Sequence, residues 1–125
     1  MFIKIVKLQD CVKAKVEVTV DEKRQIVIAK AVNCTNLGMR AIIRNFKSIY
    51  DIALINDSRL AKQLELKRIY VSVAHCHPQD TFDAEIGTAV AIKKITERLN
   101  RAITDRKLAL AKELVYTACK LQEIS

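Results

Sequence analysis

The chain is poor in residues that interrupt regular structure. Its 125 residues include two glycines, Gly38 and Gly87, and one proline, Pro78. So few breakers exclude collagen-like and Gly/Pro-rich classes, and leave no glycine-rich loop to cradle a phosphate. Tryptophan is absent and aromatic residues make up 5%. A core must therefore be aliphatic, built from Ile, Val, Leu and Ala. No apolar run approaches the roughly 20 residues that span a bilayer. Met1 to Asp10 lacks the apolar stretch and small-residue cleavage site of a signal peptide. A cytoplasmic location is expected. The four cysteines, Cys11, Cys34, Cys76 and Cys119, are dispersed and form no C-x-x-C pair. That excludes a zinc ribbon and a thioredoxin motif, and in a reducing cytosol they read as small apolar residues.

What is present suits one domain over residues 1–125, mainly β over 1–78 and helical over 79–125. Half of the residues are hydrophobic and the net charge is +8. A basic protein favours anionic partners such as nucleotides, nucleic acids or acidic proteins. The charge is uneven. Met1 to Arg68 carries 14 basic and 7 acidic residues, whereas Ile69 to Ser125 carries 8 and 7. Within that second part a basic stretch, Lys93 to Lys107, follows the acidic Asp80, Asp83 and Glu85.

Cys11 to Val20 alternates strictly, with Val12, Ala14, Val16, Val18 and Val20 on one side. Period two with β-branched residues predicts a half-buried strand. Gln25 to Asn33 reads as its hairpin partner, Phe2 to Leu8 as a shorter strand, and Lys67 to His75 as another. In the last of these Ile69, Val71, Val73 and His75 share a face. Met39 to Ile55 suits a helix, or a strand beginning after Ser48. Asp57 reads as the cap of a short helix through Leu64. After Pro78 the pattern is helical. Asp80 or Thr81 can cap a first helix, and Thr104 or Asp105 a second that runs to about Gln122. With no Gly or Pro between them, one long helix is the alternative. Thr88, Ile92, Ile95, Leu99 and Ile103 form one apolar stripe, and Ile86 and Val90 lie on a different side, next to Lys93 and Glu97. Leu108, Ala111, Val115, Ala118 and Cys119 form a seam on the last helix, and Leu110, Leu114 and Leu121 another. Two seams on a small chain point to a homo-oligomer. The fold class is α+β: an N-terminal antiparallel sheet followed by two C-terminal helices.

The unusual residues gather between Ala74 and Gly87. This stretch holds both histidines, the proline and three acids. A metal could be offered His75, His77 and Asp80. Cys76 would point away from such a site, however, and no distant ligand is evident, so no metal site is assigned. A Cys76–His77 nucleophile is weaker still, because neighbouring strand residues diverge. Phe82 reads either as a core anchor or as a platform on which a base stacks, with Thr81 or Asp83 engaging sugar hydroxyls or base edges. Arg98, Arg101, Arg106 and Lys107, around the presumed corner between the helices, read either as a solvated basic face or as a phosphate clamp.

The motif Cys76-His77-Pro78-x-Asp80-x-Phe82-Asp83-x-x-x-Gly87, followed by an Ala/Ile-rich helix, resembles the first Thoeris anti-defence family of phage sponge proteins. The resemblance implies a protein that is not an enzyme, has no catalytic residues and needs no cofactor. It would sequester a bacterial immune signalling nucleotide, a glyco-cyclic ADP-ribose, in the infected host cell. It further implies helices that interlock two subunits, with hexamers in some members, and separate sites for the cyclic oligonucleotides of CBASS defence. Phe82 would stack on adenine, and Arg98, Arg101 and Arg106 would meet the pyrophosphate. A second nucleotide site would draw on Arg24, Asn33, Asn36 and Arg40. The competing expectation is a basic nucleic-acid-binding phage accessory protein. It is disfavoured by the scarcity of aromatics and the lack of a recognised DNA or RNA module.

Overall fold

The computed structural model describes residues 1–45 and 62–124. The strand expected after Ser48 and the cap expected at Asp57 lie outside the described residues. The remainder is α+β. Strands β1 (Phe2–Lys7), β2 (Lys13–Asp21), β3 (Ile26–Val32) and β4 (Tyr70–His75) form one four-stranded sheet in the order β1-β2-β3-β4. Every neighbouring pair is antiparallel. Helix α1 (Leu37–Asn45) follows β3, and helix α2 (Ala84–Ile124) follows β4.

The alternation in β2 sets which face is covered. Val12, Ala14, Val16 and Val18 are buried while Lys13 and Lys15 are exposed. Antiparallel register then carries the same face across the sheet, through Val6 in β1, Val27, Ala29 and Ala31 in β3, and Tyr70 and Ala74 in β4. In β4 Val71 and Val73 fall on the opposite face with His75. That uncovered face also carries Ile3 and Ile5 of β1. Helix α2 lies over the covered face, mainly along β3 and β4, and buries Ala91, Ile95, Leu99 and Ile103. Its seat is shallow because the facing residues are small. A Cβ at Gly87 would stand 2.7 Å from Val27 Cγ2.

Of the two readings the absence of Gly and Pro left open, the structure takes the single helix, 41 residues long. Thr104 and Asp105 do not cap anything; they sit in its middle. The reason is a partner distant in sequence. A short 3-10 turn, Gln9–Cys11, presses against this stretch. The Gln9 backbone N–H donates to Asn100 Oδ1 at 2.9 Å, and its side-chain amide donates to Asn100 O at 2.8 Å and Thr104 Oγ1 at 3.0 Å. Lys107 Nζ donates to Gln9 Oε1 at 3.0 Å and is ion-paired with Asp10. Asp10 and Cys11 have φ of 58° and 59°, the left-handed turn that lets both Gln9 and Asp10 face α2. The helix is about 60 Å long at 1.5 Å per residue and runs past the sheet. Beyond Leu110 its described side chains are largely exposed, among them Val115, Tyr116 and Leu121. The Leu114 side chain lies outside the described residues.

Helix α1 closes one end of the sheet. Ile42, Leu64 and Leu110 form a small second cluster beneath it, with Met39 packed alongside. The cysteines are not a uniform apolar set. Cys34 is fully buried, and burial pushes its thiol pKa up to about 11. Cys11 and Cys119 are exposed, and Cys76 is half-buried. No described helix is long and apolar enough to cross a membrane.

Gly38, in the first turn of α1, is where the second cluster is tightest. A Cβ there would overlap the Leu64 carbonyl oxygen, a backbone atom that cannot swing aside. Gly38→Ala should therefore destabilise the fold by about 1–3 kcal/mol, even though alanine is the better helix former. Chemical denaturation of the two proteins checks it; a stabilised variant would show that α1 and Leu64 are not in this contact.

Candidate functional site

The segment between β4 and α2 turns tightly. Asp80 N–H donates to His77 O at 2.9 Å, with Pro78 second in the turn. Proline pre-sets the backbone for that position. Gln79 N–H donates to His77 Nδ1 at 3.3 Å, and the Cys76 thiol donates to His77 O and Asp80 O, each at 3.5 Å. Cys76 is thus tied inside the turn. At the strand end, Cys76 N–H donates to Gln25 O at 3.0 Å, which fixes the turn to the β2–β3 hairpin.

Helix α2 then begins at Ala84, and Asp83 is its cap. Asp83 Oδ1 accepts from Glu85 N–H at 2.9 Å and from Ile86 N–H at 3.3 Å. The expected caps, Asp80 and Thr81, lie too early: Asp80 belongs to the turn, and both precede the helix by three residues or more. Phe82, half-buried, packs against the main core. Together these elements enclose a pocket of about 240 Å³ between the end of β4 and the first turns of α2. Its wall runs from Ala74 to His77 on the strand side, through Asp80 to Asp83, to Ile86, Gly87 and Val90 on the helix. The structure thus brings Thr81, Phe82 and Asp83 together with both histidines. Phe82 serves the core and the pocket at once. Among the described residues, no three His, Cys, Asp or Glu side chains converge so as to hold a metal ion.

The arginines divide. Ile86, Val90, Lys94, Arg98 and Arg101 recur at helical spacing and share one side of α2. That row passes the pocket and continues along β4, an outer strand of the sheet among the described residues. Lys94 Nζ donates to Val73 O at 3.1 Å, and Arg98 Nη1 donates to Val71 O. The Arg98 guanidinium also lies 5.6 Å from the Tyr70 ring centroid. Arg101 is exposed one turn further on. Arg106 stands elsewhere, with its Cβ beside Gly38 of α1. At 1.5 Å per residue it is about 24 Å along the helix from Val90. Because α2 is continuous, no corner gathers the three arginines. Lys94 was missed in the sequence, although the four-residue steps from Ile86 to Val90 to Lys94 are a signal that places it.

The residues expected at a second site also divide. Asn33, in the left-handed region at φ 56°, and Arg40 line a concavity of about 190 Å³ with Lys13, Lys15, Ile5, Val32 and Leu37. Among the described residues, three cations and no acid line it. Asn36 precedes α1 and accepts through its carbonyl from Arg40 N–H at 3.0 Å, but does not line the concavity. Arg24 is at the far end of β3, about 30 Å away at strand rise, where its backbone N–H donates to Asp21 Oδ1 at 3.1 Å.

Comparison with models of known families, with curated proteins and with solved structures finds no match to this chain.

Proposed function

We propose that this chain is a non-enzymatic binding protein that sequesters a nucleotide of the cyclic ADP-ribose type, acting as a phage anti-defence sponge in the host cytoplasm. The observation that carries the reading is the pocket around Phe82. It offers one aromatic wall, two carboxylates suited to sugar hydroxyls, and exposed apolar side chains at Ile86 and Val90. Its volume, about 240 Å³, sits just under the range of about 300–1,000 Å³ usual for small-molecule pockets. That suits a base with its sugar, the phosphates remaining outside. The concavity at Lys13, Lys15 and Arg40 is, on the same reading, the place for a second anionic ligand such as a cyclic oligonucleotide.

Retention and release test this directly. Purified protein is mixed with cyclic ADP-ribose or its glycosylated analogue, freed of excess ligand, and heated. Unchanged nucleotide in the supernatant supports sequestration; a degraded product means an enzyme, and no retention rejects the reading. Phe82→Leu separates the two roles of that residue. It keeps an apolar anchor but loses the π face, so it should melt close to the wild type and lose about 1–3 kcal/mol of binding. Salt discriminates against nucleic-acid binding, which through six to ten phosphates would weaken roughly 10³–10⁵-fold between 50 and 200 mM. A nucleotide with one pyrophosphate should weaken only modestly.

The exposed part of α2 supports a homo-oligomer. Val115 is 64% exposed on a helix that runs beyond its own sheet. Val115→Asp should reduce the mass seen by light scattering, because a carboxylate at an interface would be buried unpaired. An unchanged mass would remove this part of α2 from the interface.

A further inference from the structure

We infer that Lys94 is the group that receives the phosphate of the nucleotide bound in the Phe82 pocket, an inference that rests on the function proposed above. Among the described residues, the pocket wall has no lysine or arginine. Its charged and titratable side chains are Asp80, Asp83, His75 and His77, together with the Cys76 thiol tied inside the turn. Two carboxylates repel a phosphate, so the anionic part of the ligand has to leave the pocket. One exit is marked by cations. Along the row Ile86, Val90, Lys94, the first lysine stands about 6 Å past the pocket wall at 1.5 Å per residue. Its ammonium is held at Val73 O, two strand residues from His75, or about 7 Å. An ammonium has three N–H donors, and one is used there. The other two are available to an anion at the pocket mouth. Arg98 is a turn further and already serves both Val71 O and the Tyr70 ring. Lys93 is equally charged and exposed and also stands near the side of Ile86 and Val90, seven and three residues on, but it is Lys94 whose ammonium is held against β4, on the strand side of the pocket.

The test is titration calorimetry with cyclic ADP-ribose on the wild type, Lys94→Gln, Lys94→Arg and Lys93→Gln. A charge-assisted hydrogen bond at this position is expected to show as about a tenfold loss of affinity in Lys94→Gln. Lys94→Arg should stay within about threefold of the wild type, since it keeps the donor, and Lys93→Gln within about twofold, since it changes only the net charge. If the wild type binds and Lys94→Gln matches it, or Lys93→Gln falls equally, the assignment of Lys94 is overturned while the pocket reading stands. If the wild type binds no cyclic ADP-ribose, both fail together.

Discussion

The close seat of α2 on the sheet is the constraint from which the rest follows. Ala29, Ala31 and Ala74 are buried on the sheet face and Ala91 on the helix, and Gly87 leaves room for Val27. Larger side chains at these positions would lift the helix and separate its flank from β4. Because the seat is close, Lys94 and Arg98 reach the carbonyls of the neighbouring strand edge. Because the strand ends at His75 and the helix starts only at Ala84, the chain between them must fold back on itself. The pocket is the wedge left where it does so.

Local patterning made much of this readable. The alternation of Val12 to Val20 identified both the strand and its buried face, and the stripe Ile92, Ile95, Leu99, Ile103 identified the inner side of α2. The same reasoning fails where the deciding contact is distant in the chain. Thr104 and Asp105 have the chemistry of a helix cap, yet the Gln9 amide and the Lys107–Asp10 ion pair lock that stretch into a continuous helix from almost a hundred residues away. In β4 the alternation showed that Ile69, Val71, Val73 and His75 share a face, but not which face is covered. The helix covers the other one, where Tyr70 and Ala74 stand, and only the pairing with β3 reveals that.

The candidate site was legible as a place more than as a set of roles. Histidines, proline and acids crowded at a strand-to-helix junction marked it. Asp83 could not be told from Asp80 as the cap, because both precede a helical pattern and the turn at His77–Asp80 decides between them. Net charge misled more. Lys107 is engaged by Asp10, Arg98 by a carbonyl and a ring, and Arg106 stands by Gly38. A basic stretch in the sequence is here several separate structural tasks.

The cover that Lys94 and Arg98 give to β4 also bears on the order in which the protein is made. An open strand edge is a template for pairing with other chains. Synthesis proceeds from the N-terminus, at about 5–20 residues per second. All four strands therefore leave the ribosome before the two residues that mask the last of them. For that interval neither side chain covers that edge, and they do so only once the helix behind it has formed and docked. The nascent chain thus carries its own late-acting chaperone: the first turns of α2.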